Sequence, residues 1–398
     1  MAKYKVVIAG GGFAGVKAAL MLAKYHILDV TLIYNRPDFQ YHPKLYETAT
    51  GGMNAVSSIP ISEIFARLPL DLVQDNIKSI DRQAHRISTK SGRQFSYDAL
   101  ILGLGVVPNY CGIKGLEKFA YGIKTIDDAV KFKNHLHRQI IDDSKPDLNY
   151  VVIGGGPSGI ELAGVLPHYI RQILKNHELG PRQIHVDLIE AAPCLIPFAP
   201  KTVSKKIRRR LRKLGVRIYF DTKVEAETAD ALVINDKPIQ SHTVVWAAGT
   251  VNHPFFTDQG FQLSANGKVR VDQYLQAEPG IYVVGDNADT PFSGMAQTAI
   301  YDGAFVAGNI IRKLDNKQPK PYVAKQPIYV FPTGPNWAAV IWGPVRIFGR
   351  PGSWLRKCAD FTTYREFEPW HMAAERFYES YDHEESCPVC ATNTQMKV

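Results

Sequence analysis

The sequence predicts an α/β protein with two Rossmann-like dinucleotide-binding units, and three stretches carry that prediction. "VVIAGGGFAGVKAAL" at residues 6–20 and "VVIGGGPSGIELAG" at 151–164 each run apolar strand, glycine turn, helix. "GIYVVGDNADTPFSGMAQTAIYDGAFVAGNI" at 280–310 runs through a strand into Gly285–Asp286 and then into a helix beginning near Met295.

In the first unit, Gly10, Gly12 and Gly15 give the G-x-G-x-x-G spacing, with Phe13 and Ala14 inside it, and Val16, Ala19, Leu20 and Ala23 follow at helical period. The first glycine permits the tight turn and the second admits a pyrophosphate. The third lets helix and strand pack closely, while the helix N-terminus offers free N–H groups. Gly154, Gly156 and Gly159 repeat the design around Pro157 and Ser158, and Ile160, Leu162, Ala163 and Leu166 follow. The next strand, "VDLIE", ends at Glu190, an acid placed to take both ribose hydroxyls and to repel a 2′-phosphate, which favours NAD(H). The equivalent strand of the first unit, "VTLIYN", ends without an acid. That leaves Asn35, Arg36 and backbone to hold the first nucleotide's adenosine.

Two nucleotide sites in one chain suit a donor and an acceptor of electrons, so the second nucleotide is expected to be a flavin, FAD. Asp286 is placed for a ribitol hydroxyl, and the helix beginning near Met295 for the flavin's pyrimidine edge. Glu161 is placed beside the nicotinamide, to bind its carboxamide or relay a proton; the plainer account is that acids favour helix N-termini. Gln297 and Tyr301, four apart, share one helix face and are placed to hydrogen-bond an acceptor or to cap the flavin edge. Lys325 adds a cation near that pocket.

Composition narrows the class. The 398 residues carry 47 Lys and Arg against 38 Asp and Glu, a formal charge of +9. The densest basic run, "KKIRRRLRK" at 205–213, sits opposite an apolar face of Val203, Ile207, Leu211 and Leu214. It reads first as a solvated face, with membrane or nucleic acid as the alternatives, and no nucleic-acid motif accompanies it. No apolar run is long enough to span a bilayer, and no leader pattern opens the chain. The expected location is therefore the cytoplasm or the cytoplasmic face of a membrane. Five cysteines are too few and scattered for a disulfide framework. None pairs near either glycine turn, which argues against disulfide-reductase chemistry.

"GGGFAG", "LYETATG" (45–51), "GGGPSGIELAG", "LIEAAP", "VVWAAGT" (244–250), "VVGDNAD" and "MAQTA" occur together in one order. In this the chain resembles the two-dinucleotide-binding-domain flavoproteins, and among them type II NADH:quinone oxidoreductases, over residues 4 to about 318. The resemblance implies FAD against Gly10, Gly12, Gly15, Pro43, Gly105, Gly285, Asp286 and Ala296, NADH against Gly154, Gly156, Gly159, Glu161, Glu190 and Gly249, and a quinone near Gln297 and Tyr301. It implies an FAD domain over 1–118 and 251–318, with an NAD(H) domain over 119–250 inserted in it, and a C-terminal appendage over 319–398. The pattern departs at Tyr301, where the family carries a second glutamine, and in the C-terminal helices, which match poorly.

The appendage is strand-like over 326–348, then shows helical spacing at Trp354, Cys358 and Phe361 and again at Trp370, Ala373 or Ala374, Phe377 and Tyr381. That stripe suits a membrane interface, a homodimer contact or the core. Two rival functions stay open: a sulfide:quinone oxidoreductase using Cys111 and Cys358, and an NADH-sensing flavoprotein that does not turn over. Cys387 and Cys390, with His383 nearby, resemble half a zinc site to which His371 would add a fourth ligand, and no metal is assigned.

Overall fold

A computed structural model describes residues 3–141, 147–180 and 182–382 of the chain, with residues 381 and 382 described by their backbone alone. Two parallel sheets organise it. The first has six strands in the order Gln276–Glu278, Ile281–Val283, Ala99–Leu102, Tyr4–Ala9, Leu28–Tyr34, Asp71–Gln74; all pairings are parallel except the edge hairpin. The second is fully parallel, in the order Val216–Tyr219, His185–Ile189, Asn149–Ile153, Thr243–Trp246. Both central strands, "VVIA" and "YVVI", are buried throughout, as uninterrupted apolar runs covered on two faces must be.

The first sheet takes strands from both ends of the sequence, so the second unit is inserted between them. The crossing is a two-stranded ribbon in which Val106–Pro108 pairs antiparallel with Thr250–Asn252. Leu116 already packs with Val151, Ile189 and Trp246 in the core of the second unit.

The region after residue 318 is built into both units. Tyr329–Pro332, Ala338–Trp342 and Val345–Gly349 form an antiparallel sheet, whose Phe331, Ala339 and Ile341 join the core of the second unit. Helix Arg350–Phe367 follows and packs on the first unit: Phe367 meets Phe39 at 4.6 Å and Phe13 at 5.9 Å, and Tyr364 meets Tyr41 at 4.9 Å. The stripe expected from the sequence is displaced. This helix buries Asp360, Tyr364 and Phe367, whereas Trp354 is 64% exposed. The buried side takes in a charged residue because Asp360 is neutralised there by Arg356 and Lys44. In the last helix, Trp370–Asp382, Ala373 is buried and Phe377 packs on Phe361, while Trp370 and Tyr378 face out. Cys387, Cys390 and His383 lie outside the described residues.

Candidate functional site

Each glycine turn leaves one open place. Gly10 and Gly154 have φ of +123° and +113°, where an L side chain is strained, and a Cβ on either would strike the next strand's backbone. A Cβ on Gly15 or Gly159 would strike the carbonyl of Gly10 or Gly154 at 2.0 and 1.8 Å. Gly12 and Gly156 differ: nothing lies within 4 Å of a Cβ on either. These are the N-cap residues of helices Phe13–Leu22 and Pro157–Asn176, and neither helix has a side-chain cap or an acid in its first turn. The uncapped N–H groups and positive dipole end therefore face open space, which fits the residues to a dinucleotide pyrophosphate. Replacing Gly156 with valine should preserve folding and bound flavin while weakening NADH at least tenfold, about 1.4 kcal/mol. Calorimetric titration of NADH checks this, and unchanged affinity would contradict the assignment.

At the ribose positions the two units diverge. The amide of Gly10 bonds Ile33 and that of Gly154 bonds Ile189, so Tyr34 and Glu190 occupy equivalent places. Glu190 accepts from the amides of Gly155 and Ala192, which fixes its carboxylate at the mouth of the turn. Tyr34 is partly buried, and Asn35 is exposed. Arg36 is spent on Asp127, at 2.8 Å. The first unit thus offers Tyr34, Asn35 and backbone where the second offers an acid.

Around the expected flavin, Pro43, Gly105, Asp286 and Ala296 are all partly exposed, and Phe13, Ala14 and Gly285 form the buried floor. Residues that sequence reasoning missed hold them there. Buried Asn287 grips Gly105 through both amide atoms, and buried Asp302 accepts from the Gly285 amide and from Tyr322. Burial raises Asp302 to about 6, with the Tyr322 and Gly285 bonds opposing. Asp302 was legible as an acid at helical spacing with Thr298 and Val306. Near Pro43, His42 is lowered to about 3, by burial and then by the charge of Lys124, so it is neutral at working pH.

A buried ionic cluster joins the three parts of the chain. Lys44, 1% exposed, bonds Glu47 at 2.8 Å and lies 3.4 Å from Asp360, also 1% exposed. Arg356 reaches Asp360 at 3.0 Å and donates to the Pro43 carbonyl at 2.6 Å; Tyr41 donates to Asp360 and Tyr46 to Glu47. Burial pushes Asp360 up, but Arg356, Lys44 and Tyr41 outweigh it and hold the carboxyl below its usual range. Glu161 faces this cluster from the second unit's helix. It is the fifth residue of helix Pro157–Asn176, beyond the first turn, so the dipole account of its presence is weak. Its carboxyl has no hydrogen-bond partner among the described residues and keeps partial contact with solvent. Burial raises it to about 8; Arg356 opposes, and Asp360 and Glu47 reinforce.

Of the expected acceptor-side residues, Tyr301 and Lys325 come together. Lys325 Nζ sits 4.2 Å from the Tyr301 ring centre, and the Tyr301 hydroxyl donates to the Val323 carbonyl. Gln297 is exposed, but its amide bonds both main-chain groups of Ile328. Here it pins the chain crossing toward the last sheet. Cys111 stands in an exposed turn bonded to Asn109, and Cys358 is on helix Arg350–Phe367. Among the described residues no group of three or more His, Cys, Asp or Glu is arranged to hold a metal.

The family model for pyridine nucleotide-disulphide oxidoreductases matches residues 4–303. The chain belongs to that family. Within the pyridine nucleotide-disulphide oxidoreductases it is similar to a type II NADH:quinone oxidoreductase of Mycobacterium tuberculosis, 28% identical over 83% of this chain and 76% of the relative. A Staphylococcus saprophyticus protein of the same description is 26% identical over 79% and 83%. Among solved structures, NDH2 of Plasmodium falciparum in complex with NADH gives a TM-score of 0.85 at 18% identity, covering 95% of this chain and 97% of that one. The sulfide:quinone oxidoreductase of Aquifex aeolicus gives 0.78 at 18%, covering 97% and 98%. At those identities both report a shared fold. Among the described residues Cys111, Cys194 and Cys358 are free.

Proposed function

We propose that the chain is an FAD-dependent oxidoreductase that takes hydride from NADH and passes two electrons to a quinone. One observation carries the reading: a single chain builds two open pyrophosphate cradles, and among the described residues the ionisable groups between them are carboxylates and bases instead of a cysteine pair. The relatives' descriptions supply the acceptor class.

Bound FAD supplies the two-electron chemistry. Gly12 and the Phe13–Leu22 amides bind its pyrophosphate, Asp286 its ribitol, and Asn287 and Asp302 hold the surrounding turns. Gly156 and the free first-turn amides that follow Pro157 would bind the NADH pyrophosphate, and Glu190 selects against a 2′-phosphate. Glu161, neutral at pH 7, holds a transferable proton on its carboxyl, and quinone reduction consumes two protons. Tyr301 and Lys325 wall the acceptor side. Gln297 reaches an acceptor by exchanging its bonds to Ile328.

No helix among the described residues is long and apolar enough to cross a membrane. The chain meets the bilayer peripherally, on the cytoplasmic side, through outward Trp342, Val345, Trp354, Trp370 and Tyr378. We assign this face to lipid instead of a second copy because a lipid-borne quinone must be reached.

The test is steady-state oxidation by FAD-loaded protein, with NADH, NADPH and sulfide compared as donors to a soluble quinone. NADH should be preferred over NADPH by at least tenfold. Oxidation of sulfide in preference to NADH would replace the reading with the sulfide:quinone alternative.

A further inference from the structure

Helix Lys201–Lys213 carries eight cations and no acid: Lys201, Lys205, Lys206, Arg208, Arg209, Arg210, Arg212 and Lys213. Solvated helices usually interleave the signs, because i,i+4 pairs stabilise them. Val203, Ile207 and Leu211 are fully buried, which drives every cation toward the surface. Lys201, Lys205, Arg209, Arg212 and Lys213 are exposed, and none has an ion pair or hydrogen bond among the described residues.

A second observation concerns what the helix is fastened to. Arg210 donates to the carbonyls of Thr333 and Pro335, in the first turn of the C-terminal sheet, and Lys206 lies 5.8 Å from the Phe348 ring centre in its last strand. Phe198, just before the helix and 61% exposed, contacts Tyr329 and Phe331 of the first strand. The same sheet exposes Trp342 and Val345 at its other turn. Unpaired cations and outward aromatics thus share one connected piece of structure.

We infer that the Lys201–Lys213 helix is an electrostatic docking arm for an anionic bilayer surface, acting beside the aromatic face of the C-terminal region. The inference rests on the membrane reading above and adds lipid charge to it. Phosphate headgroups complement the cations, and hydrocarbon complements Phe198, Trp342 and Val345. A duplex nucleic acid would satisfy the cations and leave those side chains in water. Each cation at an anionic surface contributes roughly fivefold in partitioning, and salt screens the attraction.

The full-length holoprotein is sedimented with phosphatidylcholine vesicles, and with vesicles of three parts phosphatidylcholine to one part phosphatidylglycerol, over a salt series. The wild type should prefer the anionic vesicles and lose that preference as salt rises. Lys205→Glu, Arg209→Glu and Arg212→Glu combined should weaken anionic binding by well over about a hundredfold, the factor that losing three cations alone gives. Binding to neutral vesicles and NADH oxidation in solution should persist. The milder replacement of the same three by glutamine covers a reversal that fails to fold. Equal wild-type binding to neutral and anionic vesicles overturns the docking arm and leaves the aromatic face standing. Unchanged anionic binding by the variants also overturns it, as does a clear preference for duplex DNA over anionic vesicles. Binding to neither vesicle removes the membrane reading itself.

Discussion

Replacing Glu161 with glutamine should lower quinone-coupled turnover about a hundredfold, the lower end of what general acid–base catalysis contributes. Glutamine keeps the shape and the hydrogen-bonding edge but holds no transferable proton. The pH profile separates the roles that the sequence left open. Glu161 is raised to about 8, so it is neutral below that pH and ionised above it. A proton donor of this kind gives wild-type turnover that is level from neutral pH and falls through about 8. The glutamine variant should be slow at every pH and lack that limb. If Glu161 only binds the carboxamide, the variant raises KM for NADH and keeps both kcat and the limb. The same shift has a sign for stability. A carboxyl raised on folding costs stability as pH rises from its unfolded value toward 8, so the variant should gain on the wild type at high pH.

Replacing Arg356 with alanine should be the most damaging single change to the assembled site. It strands Asp360 beside Lys44 in the interior and removes the bond to the Pro43 carbonyl. Breaking one partner of a buried ion pair costs about 3–5 kcal/mol, whereas an exposed pair contributes about 0–1 kcal/mol. The comparison is internal: Lys17 pairs with Glu366 at the surface, at 20% and 44% exposure, and Lys17→Met should hardly move the denaturation midpoint. Arg356→Ala should also release FAD more readily, because Pro43 is among the expected flavin contacts. Arg356→Lys restores the charge without the two-pronged geometry and should recover only part of the loss. Denaturant midpoints and flavin retention after gel filtration check these expectations. Equal midpoints for the alanine variant and the Lys17 control would contradict the cluster's role.

The glycine turns were legible because glycine chemistry is local. A turn, a close approach and a helix N-terminus all fall within six residues, so Gly10 to Gly15 and Gly154 to Gly159 could be read without tertiary knowledge. Glu190 was legible for the same reason, as the residue ending a strand. The ionic cluster was not, because its members are separated by hundreds of positions and each looks ordinary alone. Lys44 and Arg356 resemble surface cations until the fold places Asp360 between them. The buried side of the C-terminal helix was illegible for the same reason. Helical spacing picks out apolar stripes, and this helix buries a stripe that begins with an arginine and an aspartate. Gln297's bonds to Ile328 depend on where the chain returns some thirty residues later. The basic helix was visible as a run of charge, while its attachment to the aromatic sheet needed the structure.

The measurement that bears most directly on the central claim is anaerobic stopped-flow of FAD-loaded protein, following flavin absorbance through two successive additions. NADH should bleach the flavin rapidly, and a soluble quinone should restore it rapidly, with Glu161→Gln slowing the second phase more than the first. Bleaching by NADH with no recovery on quinone would contradict electron transfer to a quinone and leave a flavoprotein that registers NADH without turning over.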